Sequence, residues 1–310
     1  MSNGPTRKPI FGTAWKLLKR TAAEWIEDKA PQLGAALAYY TVFSLAPLVL
    51  ILLAIIGVVF RDDPAGAWTK LTEHMSYFLD RSAIRVVQDI ARTAAGPEKS
   101  TLATIIGIAL ALFGASGVFG QLQDALNTIW GVKAKPTRGM WGFLRARFLS
   151  FAMVAGVCFL LLVSLVIEAL LKGFSHYIQA RLPGGLTIAV TVYLVFDFAV
   201  IVAVFGMIFK VLPDVRIRWR DIWVGAIITT VLFVIGKWVL GLYLGSRTAA
   251  SAYGAASSLI TLLLWVYYSS QILLFGAEFT QVYASEFGAP LEPNTYAVRV
   301  ERKEIEKPRH

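Results

Sequence analysis

Charge is scarce in this chain. Only 16% of its 310 residues are Asp, Glu, Lys or Arg, while 56% are hydrophobic. Soluble domains carry roughly a quarter charged residues. The shortfall excludes an ordinary water-soluble globule, and a mean hydropathy of +0.61 points to lipid. Cysteine is nearly absent, since Cys158 stands alone inside an apolar run. One thiol closes no internal disulfide and builds no thiolate metal cluster, which removes redox and zinc-ribbon readings. Histidine is sparse as well, at His74, His176 and His310. None belongs to a ligand-spaced motif, and there is no Gly-rich phosphate loop, GxSxG or HExxH. A ribonuclease needs clustered metal ligands or a His acid–base pair. Neither is present, so no enzymatic activity, cofactor, metal site or nucleic-acid partner is expected. The opening residues also lack a secretory signal's short apolar core and cleavage site, so the first apolar stretch, from near Leu33, should persist as a span.

What the chain has instead is long apolar runs. A hydrocarbon core of about 30 Å takes about 20 apolar residues in a helix. Six segments qualify: 33–60, 101–123, 148–171, 186–212, 221–245 and 256–284. The expected fold is all-α, a polytopic membrane protein of six transmembrane helices plus amphipathic interfacial helices. Its transmembrane domain covers 33–284, with an N-terminal tail over 1–32, an outer amphipathic segment over 61–100 and a C-terminal tail over 285–310. Pro47 predicts a tilted or kinked first span, because proline removes one internal hydrogen bond and crowds the preceding turn. Gly241 and Gly245 have GxxxG spacing. That favours close packing in lipid without establishing a dimer, so a homo-oligomer or an envelope protein partner both stay open.

The basic residues set the orientation. Segments expected inside hold 20 Lys and Arg, segments expected outside hold 9, and Lys237 lies within a span. The positive-inside rule then places both termini in the cytoplasm of a bacterial-type inner membrane. The net charge of +10 is thereby absorbed by topology rather than by nucleic acid. Phe11, Trp15, Leu18, Ala22 and Trp25 recur at helical spacing with Lys16, Lys19 and Arg20 off that stripe. This predicts a helix that either lies on the inner leaflet or packs on the bundle. Trp68, Leu71, Met75, Phe78 and Leu79 predict one or two outer helices capping the bundle. Val298 to His310 alternates acids and bases, as a solvated, partly disordered tail does.

Three strings, QLGAALAYYTVFSLAPLVL (Gln32–Leu50), LQDALNTIWG (Leu122–Gly131) and YGAASSLITLLLWVYYSSQILLFGAEFTQVYA (Tyr253–Ala284), resemble the YihY/BrkB family of bacterial inner-membrane proteins. The likeness runs from about residue 20 to 285. It implies six membrane helices. It brings no defined activity: members have been labelled virulence or serum-resistance factors, and many carry an older ribonuclease BN label.

Candidate chemistry lies where polarity is costly. Ionisable groups within spans tend to face the bundle interior or a water-filled path. Asp197 interrupts the fourth span and Lys237 the fifth, at depths that permit an ion pair; such a pair either fixes helix register or serves transport. Gln271 and Glu278 share a stripe of the sixth span with Tyr267 and Leu274, and Asn127 closes the second span one turn after Gln123. Asp197, Lys237, Gln271, Glu278 and Asn127 are the candidate intramembrane polar path. Arg145, Arg147, Arg216, Arg218 and Arg220 flank spans on the inner side, as topogenic charges or as contacts for anionic headgroups of membrane lipids. The function expected is envelope transport or lipid handling, with a non-catalytic membrane scaffold as the alternative.

Overall fold

The N-terminal stretch forms two helices because Asp28 and Lys29 interrupt it. Helix α1 (Ile10–Glu27) ends there, Lys29 takes a left-handed conformation with φ 55°, and α2 (Ala30–Val59) follows. Pro31 falls in the first turn of α2, where a missing N–H leaves no hydrogen bond unmade. The structure, a computed structural model, describes residues 10–75, 81–94, 117–135, 185–245, 257–288 and 291–300. Pro47 sits within α2 without ending it. The helix has 30 residues, about 45 Å at the usual rise, so it must tilt or protrude to fit a bilayer core.

Asp63 starts α3 (Pro64–Met75), its Oδ1 accepting the Gly66 N–H at 2.8 Å; this is an N-cap bond. Helix α4 (Arg81–Ala94) buries Val87 and Ala91 against Val49, Leu45 and Leu53 of α2, while Arg85, Asp89 and Arg92 stay exposed. Helix α4 therefore packs directly on the bundle, and α3 contacts α2.

Residues 117–129 form α5. Gly131, at φ 59°, ends it and donates its N–H to the Thr128 carbonyl at 3.1 Å; the left-handed residue after a helix favours glycine. Helices α6 (Gly185–Val211) and α7 (Trp219–Gly245) form a hairpin, and α8 (Ser257–Phe287) is the central helix, touching α1, α2, α4 and α7. Among the described residues, three helices are long and apolar enough to cross a membrane: Thr191–Val211, Trp219–Leu240 and Leu259–Phe287. The expected third span and most of the second lie outside the described residues. Along α7, Trp223, Ile227, Val231, Val234 and Trp238 are exposed, whereas Ile222, Ala226, Thr229 and Thr230 are buried. Large apolar side chains on the outside, with the small or polar Ala226, Thr229 and Thr230 inside, suit a lipid solvent.

Helices α7 and α8 cross through a reciprocal contact. Each carries Gly-x-x-x-Thr, as Gly225–Thr229 and Gly276–Thr280. A Cβ placed on Gly225 would collide with Thr280, and one on Gly276 with Thr229. Both hydroxyls are satisfied within their own helix, Thr229 donating to Gly225 O at 2.7 Å and Thr280 to Gly276 O at 2.6 Å. The surroundings of Gly241 and Gly245, which the sequence pointed to, lie outside what is described; Gly225 and Gly276 supply a close approach here.

One end of the bundle, called basal below, carries α1, the α6–α7 turn and four short strands. The strand β1 (Val132–Ala134) pairs antiparallel with β4 (Ala297–Arg299), and β2 (Val215–Arg216) with β3 (Glu292–Pro293). Among the described residues the fold is thus helical with two small ribbons, and Val298 and Arg299 belong to a strand rather than to a solvated tail. The reason is local: Ala297 and Val132 bury their side chains, and the returning backbone finds partners, Val300 N–H on Gly131 O at 2.8 Å and Lys135 N–H on Tyr296 O at 3.0 Å. Residues 301–310 lie outside the described residues.

Candidate functional site: a basal cavity and its polar floor

The ribbons bring three basal segments together at Asp214, a residue only 2% exposed. Its backbone N–H donates to Asn127 Oδ1 at 2.7 Å, and Asn127 Nδ2 donates back to Asp214 Oδ2 at 3.1 Å. Gln123 Nε2 donates to Asp214 Oδ1 at 3.2 Å, and the Asn294 N–H donates to the Asp214 carbonyl at 2.9 Å. Gln123 and Asn127, one turn apart on α5, thus clamp a carboxylate in the turn between α6 and α7. The low dielectric that makes an unpaired buried group costly makes this satisfied network rigid.

Beside the knot opens a cavity of about 790 Å³. Its walls are Glu24 and Glu27 of α1, Asp28 just after it, Asp124 and Asn127 of α5, Trp130, Lys133, Gln281 of α8, and Arg299 of β4. Carboxylates outnumber cations on this wall, although the whole chain is strongly basic. Asp124 is exposed as a residue, yet partial desolvation of its carboxyl pushes it up from its ordinary value, the nearby Asp214 carboxylate adds to the rise, and Lys133 opposes it. Among the described residues, no group of three or more His, Cys, Asp or Glu is placed to hold a metal ion.

Gln281 is the link inward. It shares one face of α8 with Glu278, Leu274 and Gln271, at helical spacing. Glu278 and Leu274 are fully buried. Gln271 packs on α2 at Gly34 and donates to Pro31 O at 3.5 Å. Buried Oε1 atoms of Gln271 and Gln281, and the indole N–H groups of Trp25 and Trp130, find no hydrogen-bond partner among the described residues.

The five polar-path residues therefore separate into two places. Asn127 lines the cavity, with Glu278 and Gln271 above it on α8. Asp197 and Lys237 lie half-buried on α6 and α7, off the cavity wall, with Lys237 within electrostatic reach of Asp197. Asp197 stands about 21 Å along α6 from Val211, and Lys237 about 27 Å along α7 from Trp219, at the usual helical rise. Arg216, Arg218 and Arg220 are exposed at the basal end. They flank Trp219 and Trp223, whose rings stack at 5.9 Å, and Lys210 lies 5.4 Å over the Trp219 ring. Arg145 and Arg147 lie outside the described residues.

Sequence reasoning missed Asp214 as the hub, and missed Gln281, Asp124 and the acids of α1 as cavity residues. A signal for the first existed: the string LPDVR puts an acid just after a helix-ending proline, in a tight turn between two apolar runs.

Long apolar helices, lipid-facing side chains and a polar basal end define a helical membrane protein. A family model described as virulence factor BrkB matches residues 21–299, and the chain belongs to that family. It is 27% identical over 272 residues to a UPF0761 membrane protein of Pseudomonas aeruginosa strain LESB58, covering 86% of this chain and 62% of that one. A UPF0761 membrane protein of Xanthomonas campestris pv. campestris strain B100 is 28% identical over 260 residues, covering 82% of this chain and 57% of the relative. The chain thus spans about 62% and 57% of the length of these curated relatives. No solved structure matches it.

Proposed function

We propose that this membrane protein handles transport of a solute, ion or lipid across a bacterial inner membrane, with its basal cavity open to the cytoplasm. The observation that carries this reading is Glu278, 0% exposed on an apolar spanning helix and one turn beyond Gln281 on the cavity wall. A carboxylate buried at membrane depth is costly and usually marks a substrate or ion pathway. Gln281 and Gln271 extend that polar file, and their buried amide oxygens suit water or a passing polar group. The charge asymmetry of the loops supports a cytoplasmic basal end. Asp197 and Lys237, coupled across α6 and α7, hold that hairpin in register beside the path. The exposed Arg216, Arg218 and Arg220 sit beside Trp219 and Trp223 as contacts for anionic headgroups.

The test is reconstitution in liposomes, following ion, solute and fluorescent-lipid movement. Wild type should exceed protein-free vesicles for at least one cargo, and Glu278→Gln should abolish that movement while keeping the fold. An Asp197→Asn variant should fold and retain part of the movement. If wild type matches protein-free vesicles for all three cargoes, the transport reading fails in favour of a scaffold.

A further inference from the structure

The apolar face of α1 is only partly used by the bundle. Read around the helix at about 100° per residue, Thr21 and Trp25 come first and then Leu18, Ala22, Trp15 and Ile26. Thr21 is fully buried and Trp25 packs on the core. Beyond them Leu18 is 41% exposed, Trp15 64% and Ile26 67%, and Ala22 is also exposed. No polar residue interrupts this arc until Lys19. A single apolar surface therefore starts against the bundle and runs out into the surroundings.

The level of α1 identifies those surroundings. The helix ends at Glu27, and only two residues separate it from α2. Arg20 Nη1 lies 3.1 Å from Glu286 Oε2 and Lys16 Nζ 3.8 Å from Glu286 Oε1. Glu286 closes the basal end of α8 beside Phe287, which is 54% exposed. Helix α1 thus lies where α2 starts and α8 ends, the level of the headgroups. Its charge fits too, because residues 10–23 contain Lys16, Lys19 and Arg20 and no acid.

We infer that α1 docks in the plane of an anionic lipid leaflet through Leu18, Ala22, Trp15 and Ile26, with Lys19 at the edge of that stripe on the headgroups. An in-plane helix of this kind gains from buried apolar area and from anionic lipid together. The opposite side of α1 supplies Glu24 and Glu27 to the cavity. One short helix therefore separates the lipid surface from the cavity. This inference stands whether or not the protein transports anything.

The experiment uses the full chain in a Cys158→Ser background, reconstituted in vesicles of phosphatidylcholine with phosphatidylglycerol. Nitroxide labels go on Leu18→Cys, Ala22→Cys and Ile26→Cys for the stripe, and on Lys16→Cys and Ala23→Cys for the other side. Collision with oxygen should exceed collision with a water-soluble nickel complex at the three stripe positions, and the order should reverse at the other two. In phosphatidylcholine alone, nickel access at the stripe should rise. Stripe labels as open to nickel as Ala23→Cys would overturn the docking. So would dipolar broadening between stripe labels, which would assign the face to a second copy. Unchanged stripe burial without phosphatidylglycerol would overturn the role of anionic lipid.

Discussion

Asn127→Ala removes two contacts at once from the knot around Asp214. The Asp214 carboxylate loses the Nδ2 donor at 3.1 Å, and its buried N–H loses the Oδ1 acceptor at 2.7 Å. A hydrogen bond to a charged group is worth about 1.5–3 kcal/mol, and a buried N–H left without an acceptor costs about 1–3 kcal/mol. Gln123 still holds Asp214 Oδ1, so the two terms set the scale, at about 2.5–6 kcal/mol of lost stability. Thr128→Ala on the same turn is the control, because its hydroxyl bonds only the Asp124 carbonyl of its own helix; such surface changes stay within about 0.5 kcal/mol. The assay is denaturant titration of the purified protein in detergent micelles, followed by circular dichroism. A double-mutant cycle with Asp214→Ala should give a coupling above about 1 kcal/mol. If Asn127→Ala falls within about 1 kcal/mol of Thr128→Ala, or the cycle is additive, the basal knot is not a stability hub.

Three further outcomes follow from packing and charge. Gly225→Ala should destabilise by about 1–3 kcal/mol because the added methyl meets Thr280, while Gly57→Ala, with open space around it, should be neutral or mildly stabilising in the same titration. Asp124 has a folded pKa above its unfolded value, so its ionisation destabilises the fold progressively as pH rises through that interval. Asp124→Asn should therefore raise the melting temperature at neutral pH, and the gain over wild type should vanish below about pH 4. Glu286→Gln should cost no more than about 1 kcal/mol globally, as exposed ion pairs do, yet speed hydrogen exchange across α1 by loosening its hold on Arg20 and Lys16.

Helices α6, α7 and α8 were legible because long apolar runs at this length have few alternatives in lipid, and their boundaries moved by only a few residues. The break before α2 was not placed: nothing in an apolar count marks Lys29 as the residue that turns left-handed. The stripe on α1 was found, but periodicity could not say that Trp25 faces the bundle while Trp15 and Ile26 do not. The strands were illegible because two- or three-residue ribbons depend on partners more than 70 residues away, as Val215 on Pro293 and Val132 on Arg299 show. The cavity was hidden for the same reason. Its acids come from α1, the link after it and α5, its cations from β1 and β4, and only the folded basal end assembles them. Asn127, Gln271 and Glu278 stand out in the sequence as polar groups in or beside apolar runs, whereas Asp214 is inconspicuous beside the basic residues Arg216, Arg218 and Arg220.

Thiol accessibility in sealed, oriented vesicles tests the central claim, a cytoplasmic cavity leading to Glu278, most directly. In a Cys158→Ser background, Gln281→Cys and Glu278→Cys are exposed to a charged, membrane-impermeant thiol reagent from each side in turn. Both should react from the cytoplasmic side, Gln281→Cys faster than Glu278→Cys, and neither from the outside. Silence from both sides, or reaction at Gln281→Cys from the outer side, would contradict the account.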